Sequence, residues 1–120
     1  MPRTVVTKTP LPGAFAVAGV TPTSTAADVG NNNSIVLTGN EVVLAVNTDT
    51  VTHTVTITSM PDQEGRTSDI TADVVPVAVG GKSGFRVYQR FPQNGYLQAD
   101  GNLYLTASSA LIFFIVLQLN

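Results

Sequence analysis

Residues 51–59, VTHTVTITS, decide the fold. Successive side chains alternate across a pleat, so Val51, His53, Val55 and Ile57 fall on one side and Thr52, Thr54, Thr56 and Thr58 on the other. One side is apolar apart from His53 and the other carries hydroxyls throughout, the pattern of a half-buried strand. His53, the only histidine in the chain, stands near the start of that strand on the apolar side. An imidazole there lies at the rim of the core with one nitrogen on a carbonyl or water, a structural role. The Thr row faces solvent or a second protein surface.

The same period continues from Ser34 onward. SIVLTG, EVVLAVN, VTHTVTITS, DVVPVAV, FRVYQRF, YLQA, NLYLTAS and ALIFFIVLQL are short runs rich in β-branched and aromatic residues. Turn signals separate them, among them Thr38-Gly39-Asn40, Asn47-Thr48-Asp49, Gly80-Gly81-Lys82-Ser83-Gly84 and Asp100-Gly101-Asn102. No stretch carries a helical repeat. The expected fold is all-β, an antiparallel β-sandwich or small barrel of about eight strands over residues 34–120.

Residues 1–33 read differently. Pro2, Pro10, Pro12 and Pro22 interrupt any helix or inner strand, and the segment ends in the polar stretch Gly30-Asn31-Asn32-Asn33. It is expected as an extended N-terminal arm. TVVT, AFAVAGV and Leu11 carry more apolar side chains than a solvated tail needs. The arm is therefore expected to pack on a neighbouring subunit or along its own domain, with a floppy leader as the alternative. The last strand is also unusual, because Leu111 to Leu117 are apolar on both faces. Either a neighbouring subunit covers the second face, or the strand is enclosed at the centre of its own domain.

Composition narrows the function. The chain has 120 residues, one domain's worth, and only 12% of them are charged, against about 25% in a typical soluble domain. With a positive mean hydropathy, such a surface has little electrostatic protection against association and suits a protein that lives in an assembly. The formal net charge is −2 and no Lys/Arg cluster occurs, so nucleic-acid binding is not expected. There is no cysteine, which removes disulfides, thiolate catalysis and the usual zinc sites. No apolar run suits a signal peptide, and Ala110 to Leu117 is far short of the ~20 residues of a membrane helix. A mature start near residue 1 and no membrane span are the expectation.

Chemistry-bearing constellations are sparse. His53 has neither a second His nor a Cys with which to bind a metal, and no residues form a nucleophile elbow. Asp62, Glu64, Asp69 and Asp73 could gather round a calcium ion, but they lack the spacing of a calcium loop and read as solvated loop charges. Gly80-Gly81 and Gly84 match no phosphate-binding pattern and read as a hairpin connection. The chain is expected to be no enzyme and to use no cofactor or metal.

The candidate functional residues are those of a protein interface. Arg86, Tyr88 and Arg90 alternate on one side of their strand, opposite Phe85, Val87, Gln89 and Phe91. They are expected as an exposed stripe of two guanidinium groups flanking a phenol, residue types favoured at interfaces. Phe113 and Ile115 on the last strand, and Pro10, Pro12 and Phe15 on the arm, complete the set.

The order EVVLAVNTDTVTHTVTITS, GRTSDITADVVPVAVGG, FRVYQRFPQNGYLQADGNLYLTASS and an apolar final strand resembles small β-sandwich virion proteins of tailed bacteriophages. Asn47, Asp69, Pro76, Gly80, Pro92, Tyr96, Gly101 and Ser108 carry the likeness, which covers roughly Asn33 to Leu119. The pattern is similar to that of capsid decoration, or cement, proteins. The resemblance implies a structural subunit that sits on the outer capsid surface of the virion, binds the major capsid protein as a trimer, and has no catalytic residues. The long Pro-rich arm departs from the pattern. Two alternatives stay open: a tail or neck subunit, and a receptor- or carbohydrate-binding module of the virion.

Overall fold

The computed structural model describes residues 3–11, 19–60, 69–77, 84–91, 93 and 95–119. Among them are ten strands: β1 (Thr4–Val5), β2 (Lys8–Pro10), β3 (Ser24–Ala26), β4 (Asn33–Val36), β5 (Glu41–Asn47), β6 (His53–Thr58), β7 (Ile70–Val75), β8 (Phe85–Arg90), β9 (Asn102–Ala107) and β10 (Ile112–Gln118). They form two sheets. The first has the order β1-β4-β9-β6-β7, and the second the order β2-β10-β5-β8 with β3 also on β10. The all-β sandwich expected from the period of two is what forms.

From β3 onward the chain crosses between the sheets at every connection except β6 to β7. The resulting neighbours, β3-β10-β5-β8 facing β4-β9-β6-β7, are those of a jelly roll, in which two Greek keys are wound into a double sheet. Alternation along the strands fills the interior. Val43 and Ala45 of β5 and Ile112, Phe114 and Val116 of β10 are buried from one sheet, and Val55, Ile57, Leu103 and Leu105 from the other.

One expectation needs correction. YLQA is no strand: Tyr96 and Leu97 lie in a turn, where both backbone N–H groups donate to the Gln93 carbonyl. Gly95 supplies the positive φ of 108° that this turn requires, and Tyr96 packs edge-on against Phe91, 4.9 Å between ring centroids. Residues from 33 onward therefore give the seven described strands β4 to β10, and the remaining β-structure comes from the arm.

The described part of the arm lies along its own domain. β1 pairs with β4 and β2 with β10, both in parallel, while β3 pairs with β10 antiparallel. Val6 is fully buried between β1 and β2. Arg3 donates to the Asn33 carbonyl (3.1 Å) and lies over the Tyr104 ring, 3.9 Å from its centroid. Lys8 reaches Glu41 at 2.9 Å. The prolines that ruled out inner strands are compatible with edges, where a missing N–H costs nothing; Pro10 sits on β2 at such an edge, exposed.

Candidate protein interface

The two outer faces of the sandwich differ in chemistry. On the first sheet Thr54, Thr56 and Thr58 of β6 lie beside Tyr104 and Thr106 of β9, with Thr56 opposite Thr106 and Thr58 opposite Tyr104. That face is hydroxyl-rich and half-buried. On the second sheet the registers assemble apolar rows across three strands. Phe113, Val46 and Phe85 form one row, and Ile115, Leu44 and Val87 the next. Leu117 and Val42 begin a third.

Phe85 is 41% exposed and Val87 59%, while the β5 and β10 members are half-buried. Phe113 and Ile115, expected at an interface, are thus brought together on one partly buried outer face. β10 is central within its sheet, and Phe113, Ile115 and Leu117 on its outer side are partly buried.

The stripe expected on β8 is exposed only in part: the Arg86 side chain is 50% exposed, while Tyr88 is buried. Arg86 and Tyr88 share a side, as alternation requires, but that side faces across to the other sheet. Tyr88 is only 7% exposed and its hydroxyl donates to Asp73 of β7 at 2.9 Å. Arg86 donates to both oxygens of the same carboxylate at 3.0 Å. Phe85 and Val87 take the outer side instead. Asp73 accounts for the burial of Tyr88, since its carboxylate satisfies the phenol and the Arg86 guanidinium at the sandwich edge and leaves Phe85 and Val87 to extend the rows of β5 and β10. Beyond Val87 the register shifts, with Val42 opposite Arg90 and Leu44 opposite Val87, and Phe91 returns to the core. The Arg90 backbone pairs in β8, but its side chain lies outside the described residues, as do Pro12 and Phe15. Pro10 lies on the opposite edge and is not part of the apolar rows.

Burial, reinforced by the hydrogen bond to Asp73, pushes the Tyr88 phenol well above the ordinary tyrosine range. Asp73→Asn is expected to bring that ionisation part of the way back, because burial remains, and to cost about 1–3 kcal/mol through the weakened Tyr88 and Arg86 partners. Absorbance titration of the phenols and urea melts measure both effects.

The other titratable groups are held in structural contacts. His53 lies at the rim of the apolar side, as expected, with Nε2 donating to a carboxylate, Asp49, at 2.7 Å. That bond, with the backbone N–H of Thr50, keeps the Asp49 carboxyl below its usual range. Asp69 accepts from the Ser59 backbone and hydroxyl, both at 2.7 Å, and is lowered by them. Asp69 and Asp73 therefore serve separate partners, while Asp62 and Glu64 lie outside the described residues. Among the described residues no group of three or more His, Asp or Glu side chains could hold a metal ion.

Val42, Leu44, Val46, Phe85 and Val87 are interface candidates that sequence reasoning missed. For β5 a signal was present: EVVLAVN is apolar on both faces between Glu41 and Asn47, just as the last strand is. For β8 the signal is equivocal, because an alternation of large apolar with Arg and Tyr does not say which side is inside. Comparison with known proteins assigns no family: no family model, no curated protein and no solved structure matches the chain.

Proposed function

We propose that this chain is a non-enzymatic structural subunit of a bacteriophage virion, which decorates the outer capsid surface by binding major capsid protein subunits, as a trimer. The observation that carries the reading is the apolar outer face of β10, β5 and β8, set against the hydroxyl-rich face on the other side of the same sandwich. A face built of Phe, Val, Leu and Ile in register is suited to being covered by protein. Its jelly-roll winding is one that viral capsid domains use, as lectins and cupins also do.

Size argues for repeated, shared contact. Three strands about 4.8 Å apart and five residues long at about 3.3 Å each cover on the order of 250 Å², well short of the ~800 Å² per partner of a stable pairwise interface. One such face binds weakly. Many copies on a symmetric shell, each also touching its neighbours, multiply the effective affinity, and ligands that bind only the finished shell stabilise it by mass action. The carbohydrate reading gains nothing from the tyrosines, since Tyr88 and Tyr96 are buried and Tyr104 lies under Arg3.

Cryo-electron microscopy of the virion that carries this chain locates it. Density on the outer shell is the expected result, and density confined to the tail or neck refutes the capsid reading. Phe85→Glu with Val87→Glu places two charges where the partner excludes water, and shell occupancy is expected to fall at least tenfold. Both side chains are exposed, so circular dichroism and melting temperature should stay close to those of the parent chain. Undiminished occupancy would show that this face is not the docking surface.

A further inference from the structure

We propose that residues 3–11 are a strand-donor segment that neighbouring copies of this chain exchange, each seating its segment on the edge of the next copy in place of its own. The inference concerns how copies join one another and goes beyond the capsid reading.

The segment is an edge addition to both sheets at once. β1 pairs with β4 in the first and β2 with β10 in the second, and both pairings are parallel, so no tight hairpin ties them to the body. The body offers a built acceptor. Glu41 is fully buried and takes the Lys8 ammonium; the Tyr104 ring and the Asn33 carbonyl take Arg3; and Val6 is buried beside them. An empty acceptor would leave the Glu41 carboxylate without its cation, so a segment must fill it. A segment from a second copy makes the same contacts as the chain's own.

The connection is longer than the chain's own docking needs. The Leu11 N–H is bonded to Gln118 and the Thr23 N–H to the Thr9 hydroxyl, so the two ends of the connection lie within roughly 10 Å, about three residues of extended chain. The dozen steps between Leu11 and Thr23 can span about 40 Å. The molecule measures 43 × 39 × 26 Å, so that reach extends to a copy stacked across the thin dimension. When contacts are identical, exchange is governed by effective concentration, in the millimolar range for a connection of this length. The segment therefore folds back on its own body in dilute solution and exchanges where copies are crowded.

The chain has no cysteine, so introduced thiols report exchange directly. Thr9 and Leu117 are register partners on β2 and β10, and neighbouring strands about 4.8 Å apart suit a disulfide. Thr9→Cys with Leu117→Cys in one chain should close intramolecularly at micromolar concentration, which establishes that the pair is competent. Val5→Cys with Ser34→Cys in the other sheet replaces it should the first pair disturb folding. The two single variants, one enlarged by a tag, are then mixed, warmed just below the melting transition, cooled and oxidised.

Covalent heterodimers are expected to rise at least tenfold in yield between about 20 µM and about 1 mM. They should exceed those from Val51→Cys mixed with Val74→Cys, two exposed positions away from the arm that record random collision. Heterodimer no more abundant than in that control at every concentration, from a pair that closes within one chain, overturns the proposal.

Discussion

Phe114→Ala will destabilise the domain by about 3–5 kcal/mol, and Phe113→Ala, one residue earlier on the same strand, by no more than about 1–2 kcal/mol. Phe114 is fully buried at the centre of the sandwich. Its removal leaves a cavity between β10 and the facing sheet that a rigid double sheet refills poorly. Phe113 lies on the outer face opposite Val46, partly buried, and its loss removes side-chain contacts without opening an enclosed void. Against a total stability of about 5–15 kcal/mol, the first substitution brings the domain near unfolding at ordinary temperature and the second does not. Urea melts of the two variants measure the contrast. The pair also separates two roles, since the proposed docking face requires Phe113→Ala to weaken association while the folded domain persists. Equal losses of stability would mean that β10 is covered on both sides and that the apolar rows are core.

Much of this architecture is legible in the chain because β-structure writes its period into side-chain chemistry. VTHTVTITS puts Val55 and Ile57 inside and its threonines outside, as alternation alone requires. The apolar second face of β10 is legible for the same reason. Three things were not. FRVYQRF alternates correctly, but the burial of Tyr88 depends on Asp73, fifteen residues earlier and on the opposite sheet; a carboxylate that satisfies a phenol can take one member of an apparent surface stripe out of water while Arg86 beside it stays exposed. YLQA has strand-like composition, yet Gly95 and the Gln93 carbonyl make it a turn. The arm's prolines mark it as edge material, but whether it seats on its own body follows from Arg3 meeting Tyr104 and Lys8 meeting Glu41, pairings between residues 33 or more positions apart that no local pattern encodes.

The jelly-roll winding was equally invisible beforehand, since it resides in the order of pairing rather than in any one strand. Once that order is known, the location of the candidate face follows. β5 is the inner strand that both β10 and β8 need as a neighbour, so EVVLAVN with its two apolar faces becomes the middle of the outer rows. A single residue's slip in its register would turn Val42, Leu44 and Val46 inward and drive Glu41 and Asn47 out of the positions where their buried polar atoms are satisfied. The polar ends of β5 therefore pin the register that the apolar middle exploits.

Glu41 should also set the acid limit of the fold. Burial by itself pushes its carboxyl upward, but the hydrogen bonds from the Thr38 hydroxyl, Lys8 and the Thr38 backbone outweigh burial, and its pKa in the folded chain lies below the ordinary value. A carboxylate depressed on folding contributes stability that is fully present above its unfolded pKa, about 4.3, and that is lost as pH falls through the lower folded value. The melting temperature is expected to be flat from neutral pH to about 5 and to fall steeply below about 4. Asp28, Asp49, Asp69 and Asp100, also lowered by their hydrogen bonds, titrate in the same window and share that limb. Glu41→Gln should cost about 2–4 kcal/mol at pH 7, because it neutralises the acceptor of a buried cation contact, and the deficit should shrink toward pH 3 as the parent carboxyl takes up its own proton. Lys8→Met acts differently. It leaves the carboxylate buried without its cation, which raises the folded pKa and moves the onset of acid unfolding to higher pH. Melts across pH 2.5–7 separate the two variants; parallel curves for parent, Glu41→Gln and Lys8→Met would mean that the pair contributes no pH-dependent stability, and that β2 is held to the body by its backbone hydrogen bonds alone.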